Sequence, residues 1–87
     1  MIIQSIQHIT TGQERTDGRY PSRIGCTVEL VNRPLVGQCM WLSYVKDAQG
    51  QLKDGYLRTS TVIDGEETDT HLIVETLNSR YILAKDG

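Results

Sequence analysis

Apolar and polar positions alternate along much of this chain with a period of two, the spacing of a strand that buries one face. The clearest case is Cys26-Thr27-Val28-Glu29-Leu30, which puts Cys26, Val28 and Leu30 on one face and Thr27 and Glu29 on the other. In Ile2 to Ile9 the spacing of Ile2, Ile6 and Ile9 would suit a helix. The density of β-branched isoleucine outweighs it and predicts a strand. Cys39 to Lys46 is apolar on both faces, with Met40, Leu42 and Tyr44 on one and Trp41 and Val45 on the other. It predicts a strand covered on both sides or placed at a subunit contact. Tyr56 to Ile63 predicts another, with Leu57 and Ile63 facing one way and Tyr56 and Val62 the other. His71 to Leu77 and Arg80 to Ala84 flank Asn78-Ser79 and predict a tight hairpin.

The intervening segments are polar. Thr10 to Ser22 forms a long loop with Gly12 and Gly18, and loops of that length in small domains are often functional. Asn32-Arg33-Pro34 and Asp47 to Gly55 are turns, and Asp64 to Asp69 is an acidic loop. No segment predicts a helix beyond a turn or two. Six short strands in 87 residues predict an all-β fold: one domain over residues 1–87, a small barrel or a curled antiparallel meander. Closure into a barrel would remove exposed strand edges.

Composition refines this picture in a few places. A hydrophobic content of 38% suits a folded chain, yet one this short has a thin core, so a homo-oligomer is expected. No apolar run nears the about 18 residues of a membrane span, and the start, MIIQSIQHI, lacks the charged n-region of a signal peptide. The expected location is the cytoplasm, with no membrane partner and with Cys26 and Cys39 reduced. A net charge of -2 argues against general nucleic-acid binding. The charge is uneven: residues 1–45 hold four Arg against three acids, and residues 46–87 hold five Lys and Arg against eight acids. Six of the nine basic residues are arginine, whose planar fork grips phosphate or carboxylate where lysine offers a point charge.

Catalytic signals are missing. His8, His71, Cys26 and Cys39 have no metal-ligand spacing, so neither a metal nor another cofactor is expected. No nucleophile elbow or phosphate-cradling glycine loop is present, and Glu66 and Glu67 read as solvated charge. The sequence predicts no catalytic residues and no enzyme. Three stretches remain: GRYPSR with Arg19, Tyr20, Ser22 and Arg23; LRTSTV with Arg58, Thr59, Ser60 and Thr61; and LNSRY with Asn78, Ser79, Arg80 and Tyr81. Guanidinium forks, hydroxyls and aromatic planes are the groups that hold a phosphorylated nucleotide. Arginine and threonine also alternate on strand surfaces without any ligand. Tyr20 precedes Pro21, which favours an extended backbone and a ring projecting away from the chain. Arg19 and Arg23 would then meet either an external anion or an internal acid such as Asp17 or Glu29.

GRYPSRIGCTVEL, the MWLSYVKD strand, GYLRTSTV and TLNSRYIL together resemble a group of small proteins of Firmicutes and their phages and prophages, over about residues 9 to 83. The resemblance implies a context and not a mechanism: stand-alone phage proteins of this size are often counter-defence factors. It implies a binding protein that sequesters a nucleotide immune signal, of cyclic nucleotide or ADP-ribose type, in the bacterial host's cytoplasm. The alternative is an inhibitor that contacts a host defence nuclease or effector directly, with the acidic stretch imitating phosphates. A third reading is a small-barrel nucleic-acid or assembly module, which net charge and the lack of phenylalanine weigh against.

Overall fold

The computed structural model describes residues 1–85. Six strands occur in chain order: β1 (Ile2–His8), β2 (Thr27–Leu30), β3 (Cys39–Lys46), β4 (Tyr56–Glu67), β5 (His71–Thr76) and β6 (Ser79–Ala84). One helical turn, α1 (Tyr20–Arg23), interrupts the connection from β1 to β2. Each strand is antiparallel to its neighbours, and β1 returns to β6, so the sheet closes into a barrel. The all-β barrel expected from the alternation is the fold, and β3 occupies the predicted residues. The β5–β6 turn falls on Leu77-Asn78, one residue before its predicted place, because Ser79 already pairs with His8.

The inner faces supply one core. Ile3, Ile6, Val28, Met40, Leu42, Val74 and Leu83 have no solvent exposure, and Leu57, Val62 and Tyr81 retain 2%. On β4, Leu57 and Val62 both face inward, where strict alternation had set them on opposite faces. The reason is a bulge: Trp41 pairs with Arg58 and Cys39 with Thr61, so β4 spends one extra residue opposite β3. Thr59 braces it, its hydroxyl accepting from the Met40 N–H at 3.0 Å and donating to the Ser60 carbonyl at 2.8 Å. Ile63 turns outward and is 44% exposed.

Two further expectations change. Asp64 to Glu67 belongs to β4 and not to a loop, since Asp64, Gly65, Glu66 and Glu67 pair in register with Glu75, Val74, Ile73 and Leu72. Pairing with β5 overrides the weak strand preference of acidic residues and glycine. Of the two alternatives for β3, cover by a second layer does not occur among the described residues, which leaves the subunit contact. Trp41 is 40% exposed and meets Tyr56 edge to face, with ring centroids 6.5 Å apart.

The ring is uneven. β1 and β6 pair along their whole length, from Ile2 with Ala84 to His8 with Ser79. The β1–β2 seam is short: Ile2 pairs with Thr27, and Met1, Ile3, Gly25, Cys26 and Val28 add backbone bonds around it. Beyond the seam, the polar loop itself fills the open edge of β1. Gln7 bridges Glu14, His8 N–H donates to Gln13 and Arg15 N–H donates to Ile6, both at 2.8 Å. The Glu14 carboxylate also accepts from the Ser5 hydroxyl and the Ile6 N–H, just after a bulge in β1.

Candidate functional site

That loop places a charged and aromatic group over one end of the barrel. Pro21 sits in the first turn of α1, where its fixed φ and missing N–H are tolerated. The Ser22 hydroxyl donates to the Arg19 carbonyl at 2.7 Å. Gly25 then lets the chain enter β2 at φ +87°, and a Cβ there would lie 3.0 Å from the Ala48 methyl. The β1–β2 and β3–β4 connections therefore pack directly on each other at this end, and α1 is held against the barrel.

Tyr20 is the centre of the group. It is half-buried and packs on the core, contrary to the expected outward projection, because the helical turn swings its ring towards the barrel. The Arg15 guanidinium lies 4.1 Å from the ring centroid and that of Arg23 lies 5.1 Å away. Both distances are within cation–π range. Arg15 is anchored on several sides. Its Nη2 and Nε donate to the Asp17 carboxylate at 2.8 and 3.2 Å, and its Nη1 donates to Ser79 Oγ at 2.9 Å and to the Asn78 carbonyl at 3.3 Å. The pair raises the Arg15 pKa above its ordinary value and lowers that of Asp17, chiefly through these hydrogen bonds. Arg19 and Arg23, by contrast, form no ion pair among the described residues.

Two more tyrosines join from the strands. Tyr81 points inward from β6, and burial pushes its phenol up to about 12, with Tyr20 adding to the shift while Arg23 and Arg15 oppose it. Tyr44 on β3 is also raised by burial, opposed by Arg23. Lys53 lies 4.8 Å from the Tyr44 ring centroid. The arrangement is a cationic, aromatic barrel end in which one arginine is matched by an acid and another, Arg23, stands against the Tyr20 ring and the Tyr44 phenol with no ion-paired acid among the described residues.

Of the residues singled out in the sequence, Tyr20, Arg23 and Tyr81 come together here. Arg19 is exposed at the start of α1, and Ser22 serves that turn. Thr59 serves the β4 bulge, and the buried Ser60 hydroxyl has no hydrogen-bond partner among the described residues. Arg58 lies elsewhere, on the outer face, 5.7 Å from the Trp41 ring centroid. Arg80 sits between Gln7 and Glu75 in register on neighbouring strands, while the next residue, Tyr81, faces the core. The three stretches therefore do not form one surface. Sequence reading missed Arg15 and Tyr44. The Arg15-x-Asp17 spacing was the available signal for the first. His8 lies 3.9 Å from Asp17, and His71 bonds to Thr70 and Gln4. Cys26 and Cys39 are free thiols.

Arg15→Ala removes the tie between the loop and the β5–β6 turn. We expect a melting temperature lower by on the order of 5 °C, read by circular dichroism, with Arg15→Lys recovering little because an ammonium cannot reproduce the fork. An unchanged melting temperature would show that the loop is held without it.

Comparison of the chain with family models, curated proteins and solved structures finds no match. Among the described residues, no helix is long and apolar enough to cross a membrane.

Proposed function

We propose that this chain is a non-enzymatic binding protein that holds a phosphorylated nucleotide at the Arg15–Tyr20–Arg23 end of the barrel. In the phage setting implied by the sequence resemblance, the role is sequestration of a nucleotide immune signal. The observation that carries the reading is Arg23: it sits beside the Tyr20 ring with no acid in ion-pair range among the described residues, next to an Arg15 already matched by Asp17. A guanidinium without an ion-paired acid, beside a preorganised cation, is suited to phosphate oxygens. Arg19, at the other end of the same helical turn, extends the positive charge, and the Tyr44 phenol stands beside Arg23.

Isothermal titration against cyclic dinucleotides and ADP-ribose derivatives tests the reading. Charge-assisted hydrogen bonds are worth roughly 1.5–3 kcal/mol each, so Arg23→Ala should weaken binding by about tenfold or more. Absence of heat with every member of the panel, or full affinity in Arg23→Ala, overturns it. Nucleotide absorbance at 260 nm in the purified protein would support it directly.

A second reading, contact with a host defence protein, is favoured by a different observation. Trp41 and Tyr56 form an exposed aromatic pair on the outer face with Arg58 beside it, and these residue types dominate binding hot spots. Inhibition of an effector that survives Arg23→Ala but is lost in Trp41→Ala would select this reading over the first.

A further inference from the structure

The opposite end of the barrel has a different character. β4 outruns β3 there. The β3–β4 ladder ends at Cys39 with Thr61, and two bonds joining Gly37 and Gln38 to Val62 extend it by one step. Beyond Val62, β4 continues to Glu67 with β5 on one side and, among the described residues, no strand on the other. The arm from Asp64 to Glu67 therefore has an open edge. Thr68 N–H donates to His71, so by the alternation of an antiparallel ladder Glu66 and Asp64 turn their main-chain groups towards β5. Gly65 and Glu67 turn theirs to the open side. In agreement, the Gly65 N–H is held at 2.8 Å by the neighbouring Asp64 Oδ1, the carboxylate standing where a strand carbonyl would sit.

A groove of about 760 Å³ runs along this edge. Val62, Val74 and Leu72 line its inner side, and Leu30, Val31 and Val36 form the facing wall. Val31 is 52% exposed and Val36 is 70% exposed. Gly65 shares the inner face with its register partner Val74 and brings no side chain to fill the space. Asp64 and Glu66 share the outer face with Glu75 and Ile73, and neither forms an ion pair among the described residues. Glu67 is tied to Lys85 at 2.8 Å, which lowers its pKa, and Arg33, which also lines the groove, acts in the same direction, leaving Asp64 and Glu66 as the acids without an ion pair.

We propose that this groove binds an extended peptide segment of a partner protein, added as a strand to the open edge of β4, with apolar and basic residues in alternation. Three observations point to that occupant. The unpaired main chain at Gly65 and Glu67 recognises an extended backbone. A strand paired there drops every second side chain into the apolar groove. Its remaining side chains stand beside Asp64 and Glu66 on the outer face, where opposite charge is favoured across strands. The incoming carbonyl takes over the Gly65 N–H, and the released Asp64 carboxylate meets a lysine or arginine. This site lies at the other end of the barrel from Arg23, so its test and the nucleotide test succeed or fail separately.

The probe is a blocked heptapeptide of alternating lysine and valine, followed in amide-resolved NMR titrations of the whole chain. Saturable shifts centred on Gly65, Glu67 and Val36 are expected. Proline in place of the central valine removes a main-chain donor and should weaken binding by about tenfold. A peptide with glutamate in place of lysine should not bind. Asp64→Asn with Glu66→Gln keeps an acceptor for Gly65 and removes only charge, so it should weaken the lysine peptide while the fold, checked by the same spectra, persists. Absence of shifts at Gly65 and Glu67 at millimolar peptide overturns the proposal. Equal binding of the proline peptide does so as well, as does self-association of the chain that occupies this edge and excludes the peptide.

Discussion

Leu42→Ala is expected to lower the unfolding free energy by about 2–5 kcal/mol. Leu42 has no solvent exposure and sits mid-strand on β3, paired in register with Leu30 on β2 and Leu57 on β4. Truncation removes apolar contacts at a point where three strands meet, and hydrogen bonds in two ladders resist the backbone shift that would refill the space. A chain of 87 residues is held by roughly 5–13 kcal/mol in total, so this one change removes a large share. Urea titration should show a lower midpoint with an unchanged slope. A loss below about 1 kcal/mol would mean that the core collapses into the gap more freely than the closed ladder allows.

Alkaline pH produces the second large effect. An unfolded tyrosine ionises near 10, whereas burial pushes Tyr81 up to about 12. Below pH 10 both states hold the proton and stability does not depend on this group. Between pH 10 and 12 the unfolded chain gives up a proton that the folded chain keeps, so rising pH favours unfolding. The loss should reach about 2–3 kcal/mol by pH 12. Tyr44 is shifted in the same direction and steepens the fall. Tyr81→Phe removes the Tyr81 share, and its stability should decline more gently over that window in urea melts at successive pH values. Parallel pH profiles for the two proteins would contradict a buried phenol at this position.

The strands were legible because most of them bury one face, and the period of two records that directly. Cys39–Lys46 coincides with its prediction, and Ile2–His8 was found despite a helical spacing of isoleucines. What the alternation could not register is a bulge. The extra residue on β4 between Arg58 and Thr61 moves Val62 to the inner face, and nothing local in LRTSTV marks the shift. The acidic segment was misread for a related reason. Asp64 to Glu67 has poor strand character alone and becomes a strand through pairing with His71–Thr76, a partner that sequence pattern does not name. At the candidate site, GRYPSR drew attention through its composition, and Tyr20 and Arg23 do meet there. Arg15 escaped notice because its partners, Ser79 and the Asn78 carbonyl, lie far along the chain and come near only once the barrel closes. Arg58 and Arg80 looked equivalent to Arg23 in sequence. They differ in the direction that strand geometry sends them.

Pairing of the first strand with the last has a consequence for synthesis. Ile2 pairs with Ala84 and His8 with Ser79, so the longest ladder of β1 waits until Ser79 to Ala84 has been synthesised. A nascent chain that has reached β5 is a meander with β5 bare along one edge, while β1, at the other, is held by the short seam to β2 and by the Gln13–Arg15 segment. Contacts this remote in sequence make ring closure a late and slow event. The vulnerable interval for this fold is therefore the time before Ser79 to Ala84 is made and paired, and termination before Ser79 would release a sticky open sheet in place of a closed barrel.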